Sequence, residues 1–191
     1  MNHNPLAPLV SLLCLAACGG EAKPVEAAHG APPVTETLEI YECGNITRLH
    51  TLGSVFLASQ PAADDFREAH DNGIVTIIDL RLPGENTEFD EPGLIAKLGM
   101  EYVNVGFASP DTLTDAVFEE VRAVLNDDAK KPLLMHCKSA NRVGAVWIAY
   151  RVLDDGLTWD DALAEAKIVG LKSPPLEAAA KIYVEKVQAG G

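Results

Sequence analysis

The segment HCKSANR at positions 136–142 contains a cysteine and an arginine with four residues between them. It follows the short apolar run Leu133–His136 and leads into a longer apolar run at 142–153. A thiolate attacks electrophilic centres, and a guanidinium binds two oxygen atoms of a phosphoryl group at once. A helix that begins here would add free N–H groups, which bind an anion and favour the thiolate form of a cysteine. The leading hypothesis is therefore hydrolysis of a phosphate monoester through a phosphocysteine, with Cys137 attacking phosphorus and Arg142 holding the oxygen atoms.

Alternating strand and helix patterns surround this segment. Short apolar runs predict strands at Val55–Ala58, 74–80, 102–105 and Leu133–His136. Apolar stripes and capping residues predict helices at 62–72 and 142–153, and from Thr112, Thr158 and Ser173. The segment 81–93 has two prolines and two glycines and is predicted to be a loop. The alternation is typical of the α/β class, with a mainly parallel central sheet flanked by helices, and such sheets bind ligands beyond the carboxyl ends of their strands.

The composition excludes several classes of function. The chain has 191 residues, with 15 Lys and Arg against 28 Asp and Glu, a net charge of −13 and an apolar fraction of 48%. This length and apolar fraction suit one folded domain and exclude disorder for most of the chain. The acidic balance repels phosphate backbones, so no nucleic-acid partner is expected. An anionic substrate must therefore be bound by a local cluster of donors.

The amino terminus is expected to be an export signal. Residues 1–17 would form a signal peptide and 18–37 a flexible tether, which leaves 38–191 as the folded domain. Residues 9–17 form an apolar run too short to span a membrane. It is followed by Cys18, and the sequence Leu-Ala-Ala-Cys at 15–18 resembles the lipobox of bacterial lipoproteins. Export signals usually carry Lys or Arg before the apolar run, and none is present here. The alternative interpretation is an apolar tail that is not an export signal. The resemblance implies that Cys18 is lipidated, and that the protein is exported to the periplasm or cell envelope and attached to the membrane by a lipid anchor.

Four segments resemble the phosphatase-like domain of beta-lactamase-hydrolase-like proteins, a bacterial branch of the cysteine-dependent, dual-specificity-like phosphatases. They are SQP at 59–61, VTIIDLRLPGE at 75–85, HCKSANR at 136–142 and AVWIAYRV at 145–152. The resemblance covers roughly residues 38–170, and the cysteine segment is its most specific part. It implies a dual-specificity-phosphatase-like fold and a substrate that is a phosphorylated protein or a small phosphorylated metabolite. No cofactor is expected, and no metal, because His29, His50 and His70 show no metal-ligand spacing.

The resemblance also implies a role for each residue of the cysteine segment. Cys137 would be the nucleophile, Arg142 the phosphate clamp, and His136 would polarise the surroundings of the thiolate. The phosphate cradle would be lined by His136, Lys138, Ser139, Ala140, Asn141 and Val143. Ala140 stands where a glycine is usual, which costs on the order of 1 kcal/mol if the position needs a positive φ. Val143 stands where a Ser or Thr hydroxyl commonly helps the sulfur to depart, so turnover is expected to be slow or absent.

A general acid must protonate the leaving oxygen, and Asp111 is the candidate. It is the one carboxylate in the loop GFASPDT at 106–112, where this superfamily usually carries its acid. Asp111 could equally cap the helix predicted to begin near Thr112. Asp79, Arg81 and Glu85 lie near another strand end and are weaker candidates for the site.

Three alternatives stay open. Rhodanese-type sulfurtransferases also use a six-residue Cys-x4-Arg loop, in which Cys137 would carry a persulfide, although His136 argues against this class. A non-catalytic phosphate-binding module would account for Ala140 and Val143. The third alternative is a disulfide between Cys137 and Cys43. If Cys14 is removed with the signal peptide and Cys18 is lipidated, these two cysteines remain, in an oxidising compartment.

Overall fold

The computed structural model describes residue 32 and residues 34–190. The predicted signal peptide, Cys18 and most of the predicted tether lie outside the described residues. The strands are β1 (Thr35–Ile40), β2 (Leu49–Gly53), β3 (Val55–Ala58), β4 (Thr76–Asp79), β5 (Glu101–Asn104) and β6 (Leu133–His136). The helices are α1 (Ala63–Asp71), α2 (Glu91–Leu98), α3 (Asp115–Leu125), α4 (Asn141–Leu153), α5 (Trp159–Val169) and α6 (Pro174–Gln188). Within the described part, every helix falls short of the length and apolar character that a membrane span requires.

The six strands form one mixed sheet in the order β1-β2-β3-β6-β4-β5. The pairs β3–β6, β6–β4 and β4–β5 are parallel, whereas β1–β2 and β2–β3 are antiparallel. Ala58 and Asp79 both lie opposite His136 in the register of the sheet. The carboxyl ends of three neighbouring strands therefore meet at one edge, and the predicted α/β class with a mainly parallel sheet is confirmed.

Helices cover both faces of the sheet, because side chains alternate along each strand. Val55 and Leu57 pack into a core formed with α3, α4, α5 and α6. Phe56 and Ala58 pack into a second core with α1 and α2. Helix α4 packs closely on α5 at Gly144, where a Cβ atom would lie 2.8 Å from the carbonyl oxygen of Ala166. This close packing fixes the start of α4 directly after β6.

The structure corrects several element boundaries. The predicted loop 81–93 contains the start of α2, which Asp90 caps by accepting a hydrogen bond from the Gly93 N–H. Helix α3 begins at Asp115 rather than Thr112, because residues 110–112 form a separate 3₁₀ turn. Strands β1 and β2 were not predicted, and β1 begins within the range predicted to be a tether. The capping residues Thr158 and Ser173 are confirmed as the N-caps of α5 and α6.

Candidate active site

The 137–142 loop joins the carboxyl end of β6 to the first turn of α4. The strand is buried along its whole length, so the loop is held by the centre of the sheet. The first amides of a helix have no intrahelical acceptor, and those of α4 are therefore available to an anion bound in this loop. Val143, which was predicted to line the cradle, is fully buried in the same turn. The predicted arrangement of strand, loop and helix is thus present.

Ala140 adopts a left-handed conformation with a φ of 63° immediately before α4. Other residues with positive φ in the described part of the chain are all glycines. Gly170 packs against this turn, and a Cβ atom there would lie 3.0 Å from the Cβ of Ala140. The positive φ considered for Ala140 from the sequence is therefore present in the structure. This left-handed conformation costs an alanine about 1–2 kcal/mol relative to a right-handed one.

Arg142 is fixed by a bidentate ion pair with Glu85. Its Nη1 and Nη2 atoms each donate to one carboxylate oxygen at 2.7 Å. Nη1 also donates to the carbonyl oxygens of Phe107, at 2.7 Å, and Leu80, at 3.2 Å. Burial lowers the pKa of Arg142, but the hydrogen bond and charge of Glu85 outweigh it and the net shift is upward. The hydrogen bond from Arg142 in turn lowers the pKa of Glu85.

The contacts of Arg142 leave one edge of the guanidinium available. Glu85 occupies the edge formed by Nη1 and Nη2, whereas Nε donates to no acceptor within residues 34–190. The edge formed by Nε and Nη2 can therefore bind two oxygen atoms of a phosphoryl group in the fork geometry that arginine favours. Glu85, a weaker candidate from the sequence, is thus the residue that orients Arg142.

Cys137 lies beside Arg142 and is almost completely buried, with 1% of its surface exposed. Its sulfur lies close enough to the Arg142 guanidinium to influence the pKa of that group. Cys43 packs in the core on the opposite face of the sheet, where burial and nearby acidic groups raise its pKa to about 11. Both cysteines are free, so the alternative of a disulfide between them is not observed.

A buried network of charged side chains lies beneath the loop. Arg81 donates to both carboxylate oxygens of Asp79, at 2.9 and 2.7 Å, and to Glu91 at 2.7 Å. The Nε2 atom of His136 lies 2.9 Å from a carboxylate oxygen of Glu91, which is within the distance of an ion pair. The two atoms do not meet the geometric criteria for a hydrogen bond. Tyr102 also donates to Asp79, at 2.8 Å. These five ionisable groups therefore tie β4, β5, β6 and the start of α2 together.

The carboxylates of this network are ionised despite their burial. Burial raises the pKa of Asp79, but the hydrogen bonds from Arg81 and Tyr102 and the nearby His136 lower it by more, so that the net shift is downward. Burial likewise raises the pKa of Glu91, and the contact with His136 is the main cause that lowers it overall. Ligand atoms of Asp79, Glu91 and His136 lie within 4.8 Å of one another, a spacing that would suit a metal ion. Because the Arg81 guanidinium already contacts both carboxylates, a metal ion would have to displace it.

Sequence reasoning missed Glu91 and Tyr102. Glu91 lies within the range predicted to be a loop, and its position at the first turn of a helix was signalled only by the sequence Asp-Glu-Pro at 90–92. Tyr102 lies in a predicted strand, but the pairing of β4 with β5 brings its hydroxyl to Asp79. Both contacts join segments that are distant in sequence.

Asp111 lies exposed in the 3₁₀ turn Pro110–Thr112. It caps no helix, because Thr114 is the N-cap of α3, and the alternative role as a helix cap is therefore wrong. Its carboxylate makes no hydrogen bond within residues 34–190. The bond from Arg142 to the Phe107 carbonyl connects the segment that precedes this turn to the 137–142 loop. Asp111 is therefore not held by another group in the described part of the chain, and it does not line the cleft that adjoins the 137–142 loop.

The other predicted site residues face a cleft or hold it in place. Lys138 and Ser139 are exposed and line a cleft of about 600 Å³ next to the loop. Gln60, Arg81 and Glu85 line the same cleft. Asn141 instead turns away: its Oδ1 atom accepts hydrogen bonds from the N–H groups of Lys172 and Ser173 at 2.7 and 3.2 Å. It therefore positions the segment between α5 and α6 beside the loop.

Comparison with known proteins identifies the fold. The sequence matches no family model and no curated protein. Tk-PTP in its active form is 19% identical with a TM-score of 0.58, covering 70% of this chain and 93% of that one. TpbA of P. aeruginosa is 21% identical with a TM-score of 0.58, covering 74% and 85%. A putative DUF442 phosphatase from Shewanella putrefaciens is 18% identical with a TM-score of 0.61, covering 74% and 93%. The chain therefore has the fold of the cysteine-dependent, dual-specificity-like phosphatases.

Proposed function

We propose that the chain hydrolyses phosphate monoesters through a phosphocysteine formed on Cys137. The observation that carries this proposal is the 137–142 loop, in which a cysteine precedes the start of α4 and Arg142 is oriented by Glu85. Two proteins of the same fold support a phosphorylated substrate, since TpbA is known in complex with phosphotyrosine and PTPMT1 in complex with PI(5)P. A phosphorylated protein and a small phosphorylated metabolite are both consistent with the proposal.

In the first step, the Cys137 thiolate attacks phosphorus while the bond to the ester oxygen breaks. The free edge of Arg142 and the first amides of α4 bind the three remaining phosphoryl oxygens, whose charge is spread in the transition state. Asp111 gives its proton to the leaving oxygen, so that an alcohol departs rather than an alkoxide. The products of this step are the alcohol and a phosphorylated Cys137.

In the second step, water attacks the phosphocysteine. Asp111, now a carboxylate, takes a proton from the water while the sulfur–phosphorus bond breaks and Cys137 returns to the thiolate. Val143 offers no hydroxyl group to the departing sulfur, so this second step is expected to limit the rate.

One assay separates this proposal from the sulfurtransferase and binding-module alternatives. The full chain and its Cys137→Ser variant are each given an aryl phosphate, and separately thiosulfate with cyanide. Phosphate release by the wild type that is lost in the variant is the expected result. Thiocyanate formation without phosphate release would favour the sulfurtransferase, and stabilisation by phosphate with neither product would favour the binding module.

We also propose that the protein is exported and attached to the membrane through a lipid on Cys18. The lipobox-like sequence at 15–18 supports this proposal. Replacing Cys18 by alanine should move the protein from the membrane fraction to the soluble fraction of the cell envelope. Retention of the Cys18→Ala variant on the membrane would contradict lipidation at this residue.

A further inference from the structure

The cleft beside the 137–142 loop has a basic rim, which we define as Arg48, Lys138 and Lys172. These residues come from three separate segments: the connection before β2, the loop itself and the connection between α5 and α6. They surround a volume of about 600 Å³, within the range of small-molecule sites. The volume thus exceeds what a single phosphate ion needs.

The basic rim collects nearly all the unpaired cations of an acidic protein. Within residues 34–190, only four Lys and Arg side chains form no salt bridge: Arg48, Lys97, Lys138 and Lys172. Three of these four line the cleft, although the chain offers 28 Asp and Glu as partners. Unpaired like charges repel one another, so this grouping disfavours the empty cleft and favours an anionic ligand.

The acidic residues of the cleft do not cancel the basic rim. Glu85 is engaged by Arg142, and Arg81 is engaged by Asp79 and Glu91. Glu88 is the remaining carboxylate of the lining, and it forms no ion pair within the described part of the chain. The available charge is therefore three cations against one carboxylate, which leaves the cleft positive within an acidic surface.

Two members of the basic rim are held against the loop by the fold. The Lys172 N–H donates to Asn141 at 2.7 Å, which fixes the Lys172 backbone beside the first turn of α4. The Arg48 N–H donates to Ser59 at 3.1 Å, and its Nη1 donates weakly to the Ile168 carbonyl at 3.5 Å. The Arg48 side chain also packs against Gly170, where a Cβ atom would lie 3.1 Å from its Cδ. The Lys172 backbone and the Arg48 side chain are thus fixed beside the loop.

We infer that the substrate carries a second phosphate group, which Arg48 and Lys172 bind while the first one reacts at Cys137. This inference rests on the proposed function and specifies its substrate class as a small molecule with two or more phosphate groups on a compact scaffold. Such a molecule would give Arg48 and Lys172 an anionic partner, whereas the single phosphate of a phosphorylated peptide side chain, once bound at Cys137, would leave them without one.

The test compares two substrates that differ by one phosphate group, glucose bisphosphate and glucose monophosphate. The measured quantity is the ratio of kcat/KM for the bisphosphate to kcat/KM for the monophosphate. The variants are Lys172→Gln, the double variant Arg48→Gln with Lys172→Gln, and the matched control Lys97→Gln, which removes the fourth unpaired cation of residues 34–190, one that does not line the cleft. Circular dichroism and Tm establish that all variants are folded.

We expect the ratio to fall about 10-fold in Lys172→Gln and further in the double variant, because each loses a charge-assisted hydrogen bond to phosphate. The control should keep the wild-type ratio. An equal bisphosphate-to-monophosphate ratio in all proteins would overturn the inference while leaving the proposed function intact. The same conclusion would follow if the variants changed only the preference for an acidic over a neutral phosphopeptide.

Failure of the proposed function has a different signature, because it would abolish hydrolysis of both sugars. In that case calorimetry of glucose bisphosphate binding to the full chain decides the inference. Binding that is weaker in Lys172→Gln than in Lys97→Gln supports the second phosphate site. Equal binding by the two variants, or no binding by the wild type, overturns it.

Discussion

Glu91 should be essential to the stability of the site, because it is a buried carboxylate that contacts two ionisable partners. It is 2% exposed and lies 2.7 Å from Arg81, 2.9 Å from His136 and 3.1 Å from the Gln60 amide. Glu91→Gln keeps the size of the side chain and removes its charge, so that Arg81 and His136 both lose their contact with a buried carboxylate and Arg81 keeps only Asp79 as an ionic partner. Removing one partner of a buried ion pair costs about 3–5 kcal/mol, and we expect a loss of that order in the free energy of unfolding.

The pH dependence of this loss follows from the lowered pKa of Glu91. A carboxylate whose pKa is lower in the folded state stabilises the protein above its unfolded pKa, which is about 4.3. That stabilisation disappears as the pH falls through the lower folded pKa. The difference between wild type and Glu91→Gln should therefore be full at neutral pH and shrink in acid, where protonated Glu91 resembles glutamine.

Urea denaturation at neutral and acidic pH measures both effects. Glu88→Gln is the matched control, because Glu88 is exposed and forms no ion pair within residues 34–190; its effect should stay within about 0.5 kcal/mol. A loss for Glu91→Gln as small as that of the control, or a loss independent of pH, would refute the view that this network supports the loop.

Three further substitutions test the chemistry at the loop, each by steady-state hydrolysis of an aryl phosphate. Asp111→Asn should lower kcat by about 100-fold or more, because it removes the proton donor, and an unchanged rate would exclude Asp111 from the mechanism. Glu85→Gln should lower kcat/KM, because Arg142 loses its bidentate partner; an increase would mean instead that Glu85 competes with the substrate. Val143→Ser should raise kcat by supplying a hydroxyl group to the departing sulfur, and no change would show that this step does not limit the rate.

The centre of the fold could be predicted from the sequence because its signals are local. β6 is a continuous apolar run that leads directly into the loop, and α4 is apolar on nearly every side because it is enclosed by the sheet, α5 and α6. The strain at Ala140 was expected only through the family resemblance, in which a glycine is usual at this position, and the φ of 63° shows that the position does need a left-handed backbone. Strand, loop and helix thus follow from residues that are neighbours in the chain.

The rest of the site depends on contacts between distant segments, which leave little trace in one sequence. Glu85 and Arg142 are 57 positions apart, and Glu91 meets His136 only because the start of α2 lies over the carboxyl ends of β4 and β6. Helix α2 itself was hidden by the prolines and glycines around it. Arg48 and Lys172 resemble ordinary surface residues until the fold places them at one cleft.

Trapping the covalent intermediate tests the central claim most directly. The full chain is mixed with an aryl phosphate, quenched in acid during turnover and digested, and the peptide that contains Cys137 is analysed by mass spectrometry. We predict one added phosphoryl group on Cys137, which is absent without substrate and absent in Cys137→Ser. Turnover with an unmodified Cys137, or with the phosphoryl group on another residue, would contradict the proposed mechanism.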